Sequence, residues 1–302
     1  MWSIQRIHYL QGVIKYNFHT HSSYSDGSAE PEEYVIQAIR EGFTDLGFSE
    51  HAPLAVTPNT FALREDKVEE YVRVIRDLQE KYKDSITLHA GMEMDYILGI
   101  SGNFATNAVR WGLDYVIGSV HLVPGENEEG LWFIDGPDQR IYDEGLLKFF
   151  GGDIRKAIEA YYLQVKKMIL TEDFDIVGHL DKVRMHNKNR FFQDEEGWYR
   201  ELVLDVLDEI AKRKLVVEVN TRGLYKKRND QLFPATWVLK EILKRDISIL
   251  LSSDAHKPEE VSNLLNESFV ALKEIGFKTH QLKAINPHQI FKERGRINSK
   301  PR

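Results

Sequence analysis

No cysteine occurs among the 302 residues. That absence excludes thiol nucleophiles, thiolate zinc sites, iron–sulfur clusters and disulfides. Any resident metal must then be held by imidazole nitrogen and carboxylate oxygen. Zero cysteine also fits a reducing compartment, and a cytoplasmic location is the expectation. No apolar run approaches the roughly 20 residues needed to span a bilayer, and Met1 to Tyr16 carries no secretory apolar core. A long basic stripe is missing too. The nearest approach is Lys226-Lys227-Arg228, on a chain of formal net charge −7. Neither nucleic acid nor membrane is therefore expected as a partner. Repeats, low-complexity tracts and linker-like stretches are absent from the sequence, so a single domain over residues 1–302 is expected. With 42% hydrophobic and 29% charged residues the chain has an ordinary globular balance, which excludes wholesale disorder.

What is present is a rhythm. Short apolar, β-branched or aromatic runs alternate with stretches of helical periodicity. The runs predict strands at Gly12–His21, Asp45–Glu50, Ile86–Glu93, Tyr115–His121, Phe174–His179, Leu215–Asn220 and Ile247–Asp254. Helices are predicted at Pro31–Glu41, Asp66–Lys83, Gly152–Leu170, Trp198–Lys212, Pro234–Lys244 and Pro258–Ile275. Pro31 in a first turn and Gly42 just past the end mark the first of these. Alternation of this kind implies parallel strands covered by helices, and the number of strands suits a barrel. Residues 122–150, acidic and aromatic, interrupt the rhythm and read as an active-site insertion or lid.

The polar residues gather where the strands end. The runs finish in His19-Thr20-His21, Ser49-Glu50-His51, Gly91-Met92-Glu93, Ser119-Val120-His121, Gly178-His179, Glu218-Val219-Asn220 and Asp254-Ala255-His256. In an α/β barrel that rim is where active sites are built. Side chains two apart on a strand share a face, so His19 and His21 can converge on one ion, as can Asp254 and His256. Glu93 is placed to bridge two ions. Imidazole with carboxylate suits zinc, manganese or iron. Of the 11 histidines, His19, His21, His51, His121, His179 and His256 fall at these ends. His8, His89, His186, His280 and His288 read as structural or surface residues. Tyr24, Trp132 and Phe133 read as packing.

Seven motifs together resemble one family. HTHSSYSDGS at His19–Ser28, GFSEHAPL at Gly47–Leu54, GMEMDY at Gly91–Tyr96 and IGSVH at Ile117–His121 are followed by DIVGHLDKVR at Asp175–Arg184, EVNTRGLYKK at Glu218–Lys227 and SSDAHKPEEV at Ser252–Val261. The order is similar to that of the polymerase-and-histidinol-phosphatase (PHP) superfamily, and most to its histidinol-phosphate phosphatases. The resemblance implies a distorted (β/α)7 barrel with two or three divalent ions. It implies that His19 and His21 hold one ion with Glu93 and Asp254, that Glu93 bridges to a second held by His121 and His179, and that His51 and His256 hold a third with Asp26. The sixth-strand motif departs from the family pattern N-T-S-G-L-R-K: Arg222 replaces a small residue and Tyr225 a basic one.

The same resemblance implies hydrolysis of L-histidinol phosphate in histidine biosynthesis, by attack of a metal-bridging hydroxide on phosphorus. Glu93, Asp254 and His256 are the candidate catalytic residues, the last two for proton transfer to the leaving oxygen. Arginine's planar fork suits a phosphate, which makes Arg184, then Arg222, then Lys226 the candidate substrate-binding cations. Acids such as Asp95, or the segment 122–150, are the candidates to meet the substrate's amine and imidazole. Another small phosphate ester, such as a sugar phosphate or nucleotide, a non-catalytic metal-binding module and a deaminase built on the same HxH pattern stand as alternatives.

Overall fold

Residues 14–56, 61–125, 130–278 and 281–282 are described by the computed structural model; His8, His280 and His288 lie outside the described residues. Strand β1 (Tyr16–Asn17) leads to helix α1 (Pro31–Arg40), β2 (Asp45–His51) to α2 (Val68–Tyr82), and β3 (Thr87–Asp95) to α3 (Phe104–Trp111). After β4 (Tyr115–Ser119) comes a hairpin of β5 (Leu122–Pro124) and β6 (Leu131–Phe133), then α4 (Gln139–Phe150) and α5 (Ile154–Thr171). β7 (Ile176–Val177) leads to α6 (Gly197–Arg213), β8 (Val216–Asn220) to the short α7 (Arg222–Tyr225) and α8 (Thr236–Lys244), and β9 (Ile249–Ser252) to α9 (Leu265–Ile275).

The strands β1-β2-β3-β4-β7-β8-β9 pair in that order, all parallel. A further parallel bridge joins Thr20 to Ala255. There the His21 N–H donates to the Ala255 carbonyl at 2.8 Å, and the Ala255 N–H to the His19 carbonyl at 3.1 Å. The last strand end thus meets the first, and the fold is a distorted (β/α)7 barrel. Closure occurs at the rim that carries the polar residues. Below that rim the interior is filled. Tyr115 lies across the barrel with its hydroxyl donating to the Phe18 carbonyl at 2.6 Å. Its ring occupies the space beside Gly91, where a Cβ would stand 2.3 Å from the ring.

Two of the predicted strands pair over only two residues each, and Gly12 and Val13 of the first lie outside the described residues. Pairing of Gly12–His21 with β2 covers Tyr16–Asn17 because the Asn17 side chain takes over. Its carbonyl accepts from the His19 N–H at 3.2 Å and its amide donates to Ser253 Oγ at 2.8 Å. Phe174–His179 pairs over Ile176–Val177, since the next free amide, that of His179, donates to Glu218 Oε2 at 2.7 Å. The predicted helix at Pro258–Ile275 is broken in two, a 3-10 turn at Pro258–Glu260 and then α9, with Leu264 in the left-handed region between them at φ 58°. Helices α3 and α4 were not among the predicted ones. The first spans 8 residues, too short for its periodicity to stand out, though Asn103 caps it by accepting from the Thr106 N–H. The described part of residues 122–150, which leaves out 126–129, holds the hairpin and α4, packed through Trp132, whose indole N–H donates to the Tyr142 carbonyl at 2.9 Å. No helix among the described residues is long and apolar enough to cross a membrane.

Candidate active site

Strand register assembles the site. His51 sits opposite Glu93 in the β2–β3 pair, Asp95 opposite Ser119 in the β3–β4 pair, and Asn220 opposite Ser252 in the β8–β9 pair. Glu93 is the hub. Its Oε2 lies 3.2 Å from His19 Nε2, 3.5 Å from His21 Nε2 and 3.1 Å from His51 Nδ1. Its Oε1 lies 2.9 Å from His179 Nε2 and 3.6 Å from His121 Nε2, and accepts from Ser119 Oγ at 2.6 Å. Asp254 Oδ1 faces His21 Nε2 at 3.6 Å and His19 Nε2 at 3.8 Å. Asp26, on the loop after β1, lies 3.2 Å from His256 Nε2 and 3.8 Å from His51 Nε2.

All nine metal ligands expected from the sequence therefore lie in one place. They fall into overlapping groups whose donor atoms stand within 4.8 Å of one another: His19-His21-Asp254, His19-Glu93-His179, His51-Glu93-His121 and His21-Asp26-His51-His256. His51 thus approaches Glu93 and His121 as closely as the Asp26 group. Divalent ions fit this donor set. His19 Nε2, both ring nitrogens of His21, His51 Nδ1 and His179 Nδ1 are buried with no hydrogen-bond partner. Buried polar atoms are seldom left so, and a cation at the shared positions would satisfy several of them at once.

The rings are aimed from behind. The Nδ1 of His19 bonds Glu218 Oε1 at 2.5 Å, and Glu218 also takes the hydroxyl of Ser252. Such partners fix tautomer and orientation. Burial would lower His19, but the carboxylates of Glu218, Glu93 and Asp254 hold it well above its usual value. His21 is held well below, by burial and by the neighbouring His256 and His51. Burial would raise Glu93 and Asp254. The imidazoles of His19, His51 and His121 overcome this for Glu93, and His19, Lys182 and Arg222 for Asp254, so both carboxylates stay far below their usual range.

Beside the cluster opens a cavity of about 250 Å³. Phe61, Phe133, Asp135, Lys182, Arg222 and Arg228 line it together with several of the nine residues above. Of the expected substrate-binding cations, Arg222 lines this cavity, its guanidinium donating to the Asp254 carbonyl at 2.7 Å. Lys226 turns to Glu260. Arg184 is taken up by Asp194, at 3.0 Å and 2.9 Å through Nε and Nη2, and by Asp181 at 3.4 Å. It borders a neighbouring cavity instead. The buried cation at the metal cluster is Lys182, two residues before it, whose Nζ lies 3.0 Å from Asp135 and 3.6 Å from Asp254. Asp95 stands behind His121 and is held by its ring and its backbone N–H. Phe133 reaches the cavity and stacks on Phe61 at 5.7 Å between centroids. Tyr24 packs on Tyr71, and His89 on Phe18. Lys182, Asp135 and Phe61 were not singled out in the sequence, and Glu218 stood among the strand-end residues without a role. Of the first three, Lys182 offered a signal, three residues after a strand-end histidine.

The PHP domain family matches residues 17–222, more than half of the chain. The chain belongs to that family. A histidinol-phosphatase of Bacillus subtilis is 27% identical over 247 residues, covering 76% of this chain and 88% of its own. A crystal structure of a candidate histidinol phosphatase of Listeria monocytogenes superposes with a TM-score of 0.73 at 23% identity, over 82% of this chain and 98% of that one. A histidinol phosphate phosphatase of Lactococcus lactis, solved with zinc, L-histidinol and phosphate, superposes with a TM-score of 0.64 at 23% identity, over 88% and 95%. These likenesses carry the fold.

Proposed function

We propose that this enzyme, a phosphoric monoester hydrolase of the PHP family, releases phosphate from L-histidinol phosphate, a step of histidine biosynthesis. The observation that carries the reading is the adjacency of a nine-residue imidazole–carboxylate cluster to a cavity with an aromatic wall and buried cations. The relatives named as histidinol phosphatases, and the neighbour solved with L-histidinol, support the choice of ester.

His19, His21, Glu93, Asp254, His121 and His179 would hold two divalent ions, and His51, His256 and Asp26 a third. Bound there, such ions supply an acidified water and positive charge for the phosphoryl oxygens. The chain's own groups do the rest. Lys182 and Arg222 meet phosphoryl oxygens that the ions leave free. Phe61 and Phe133 offer a face to the substrate's imidazole. Asp254 and His256, side by side at the end of the last strand, are the two candidates for the group that protonates the departing oxygen. Residues 122–150 serve as a wall of the same single barrel domain, contributing Phe133, Asp135 and Pro137.

The test is phosphate release from L-histidinol phosphate beside a panel of monoesters, with protein as purified, after chelation, and after return of zinc, manganese or iron. Metal-dependent release strongly favouring L-histidinol phosphate is expected. Release from sugar phosphates or nucleotides alone would move the substrate elsewhere. No release with ions bound would remove the catalytic reading.

A further inference from the structure

Asp135 has no place in the metal groups, yet its side chain lies largely buried at the cavity wall. The Ile134 N–H donates to the His121 carbonyl at 3.0 Å. His186 Nε2 bonds the Gly136 carbonyl at 2.8 Å. The residue between is therefore held from both sides. One of its oxygens, Oδ2, faces Lys182 Nζ at 3.0 Å and His121 Nε2 at 4.0 Å. The other, Oδ1, is buried with no hydrogen-bond partner. Carboxylate and ammonium are both about nine-tenths buried, at 9% and 10% exposure.

We propose that Asp135 and Lys182 form a recognition pair for a substrate carrying an ammonium beside its phosphate ester, each giving up the other for the substrate's opposite charge. This rests on the aminated phosphate ester of the proposed function and names how the amine is read. In L-histidinol phosphate the amine and the ester oxygen sit on adjacent carbons, so one bound molecule can present an ammonium and a phosphoryl group to neighbouring partners. When the substrate enters, Lys182 turns to the phosphoryl group and Asp135 accepts from the ammonium, with Oδ1 ready as a second acceptor. Two ion pairs replace one pair and a solvated zwitterion, and no buried charge is stranded. An ester without the amine draws Lys182 away and leaves Asp135 unpaired beside incoming negative charge. Stranding a buried charge is expensive, and sites that leave a buried polar group unpaired reject the wrong substrate strongly. Discrimination comes as much from that penalty as from the new contact. The Lys182 ammonium 3.0 Å away favours the Asp135 carboxylate as an anion before the exchange.

The experiment compares kcat/KM for two ester pairs, each with and without the amine: L-histidinol phosphate against its des-amino analogue, and 2-aminopropyl phosphate against propyl phosphate. Wild type, Asp135→Asn and Lys182→Gln are assayed, with bound metal measured in each. The wild type is expected to prefer the aminated member of both pairs. In Asp135→Asn the aminated-to-plain ratio should fall at least tenfold at unaltered metal content, while Lys182→Gln should lower both members and keep the ratio. No amine preference in the wild type, or equal losses on both members in Asp135→Asn, would overturn the pair while leaving the phosphatase standing. An amine preference that depends on Asp135 in the second pair, with L-histidinol phosphate a poor substrate, would support the pair and refute that substrate. Should Asp135→Asn fail to fold, Asp135→Glu carries the same test, since a displaced carboxylate must also depress the ratio.

Discussion

Both carboxylate oxygens of Asp95 lie 2.9 Å from the Nδ1 of His121. Nδ1 is thereby committed as the donor, and Nε2 is left facing Glu93 at 3.6 Å and His179 Nε2 at 3.2 Å. The same Asp95 oxygen accepts from the His121 backbone N–H at 2.9 Å, so ring and strand end are fixed together.

Asp95→Asn should therefore weaken metal binding at the Glu93–His121–His179 side of the cluster, by roughly 10- to 100-fold on the experience of other carboxylate–histidine–metal arrangements. Competition with a chelator of known affinity measures it. An affinity equal to that of the wild type would show that His121 needs no help from Asp95.

How much of this was legible beforehand depends on what each feature needs. The barrel could be read because strand and helix periods alternate, and the gathering of imidazoles and carboxylates at one rim because they stand at the ends of the apolar runs. The Glu93 hub followed from its place at the end of an apolar run. Arg184 went the other way. A basic residue five positions after His179 looks like a phosphate binder in one dimension, but its orientation is set by Asp194, ten residues on, and by Asp181. Lys182 was passed over because burial of a lysine depends on partners from distant segments, Asp135 on the β6 side and Asp254 after β9. The short pairing of β1 could not be read either, since it depends on an Asn17 amide meeting Ser253 across the closing seam.

The contrast between those two cations can be measured. Arg184→Gln breaks a buried bidentate pair and deprives Asp181 of its nearest charge, for which about 3–5 kcal/mol of stability is the usual scale. Its KM should stay near the wild-type value. Lys182→Gln should instead cut kcat/KM, by roughly 100-fold if it meets a phosphoryl oxygen in the transition state. Urea unfolding and steady-state kinetics on both variants separate the roles. A raised KM with intact stability in Arg184→Gln would return it to the substrate site.

Gly178 marks a close approach between two strands. A Cβ there would stand 2.2 Å from Ser119 Oγ and 3.0 Å from Ile117 Cγ2. Ser119 Oγ is the donor to Glu93 Oε1. Gly178→Ala should cost about 1–3 kcal/mol, the range for overpacking, and should lower metal occupancy through Glu93. Adding Ser119→Ala removes the clash, so the double variant should regain part of the stability but not the occupancy. Strict additivity of the two changes in a double-mutant cycle would mean that the residues do not interact.

His186 gives the fold a pH response outside the metal cluster. Burial lowers its pKa below the usual histidine range, although the bond to the Gly136 carbonyl pulls the other way. The neutral ring is thus favoured in the folded chain. Because the folded value lies below that of the unfolded chain, near 6.5, His186 contributes stability that is fully present above that pH. This contribution is lost as pH falls through the folded value. In His186→Gln the amide can still donate to Gly136 but does not titrate. The variant's unfolding free energy should therefore fall less steeply than the wild type's as pH is lowered from 7 to 5. Every other titrating group is common to both proteins, so the difference between the two curves isolates this ring. Parallel curves would mean that His186 titrates alike in folded and unfolded chains. A steeper fall in the variant would reverse the sign of the argument.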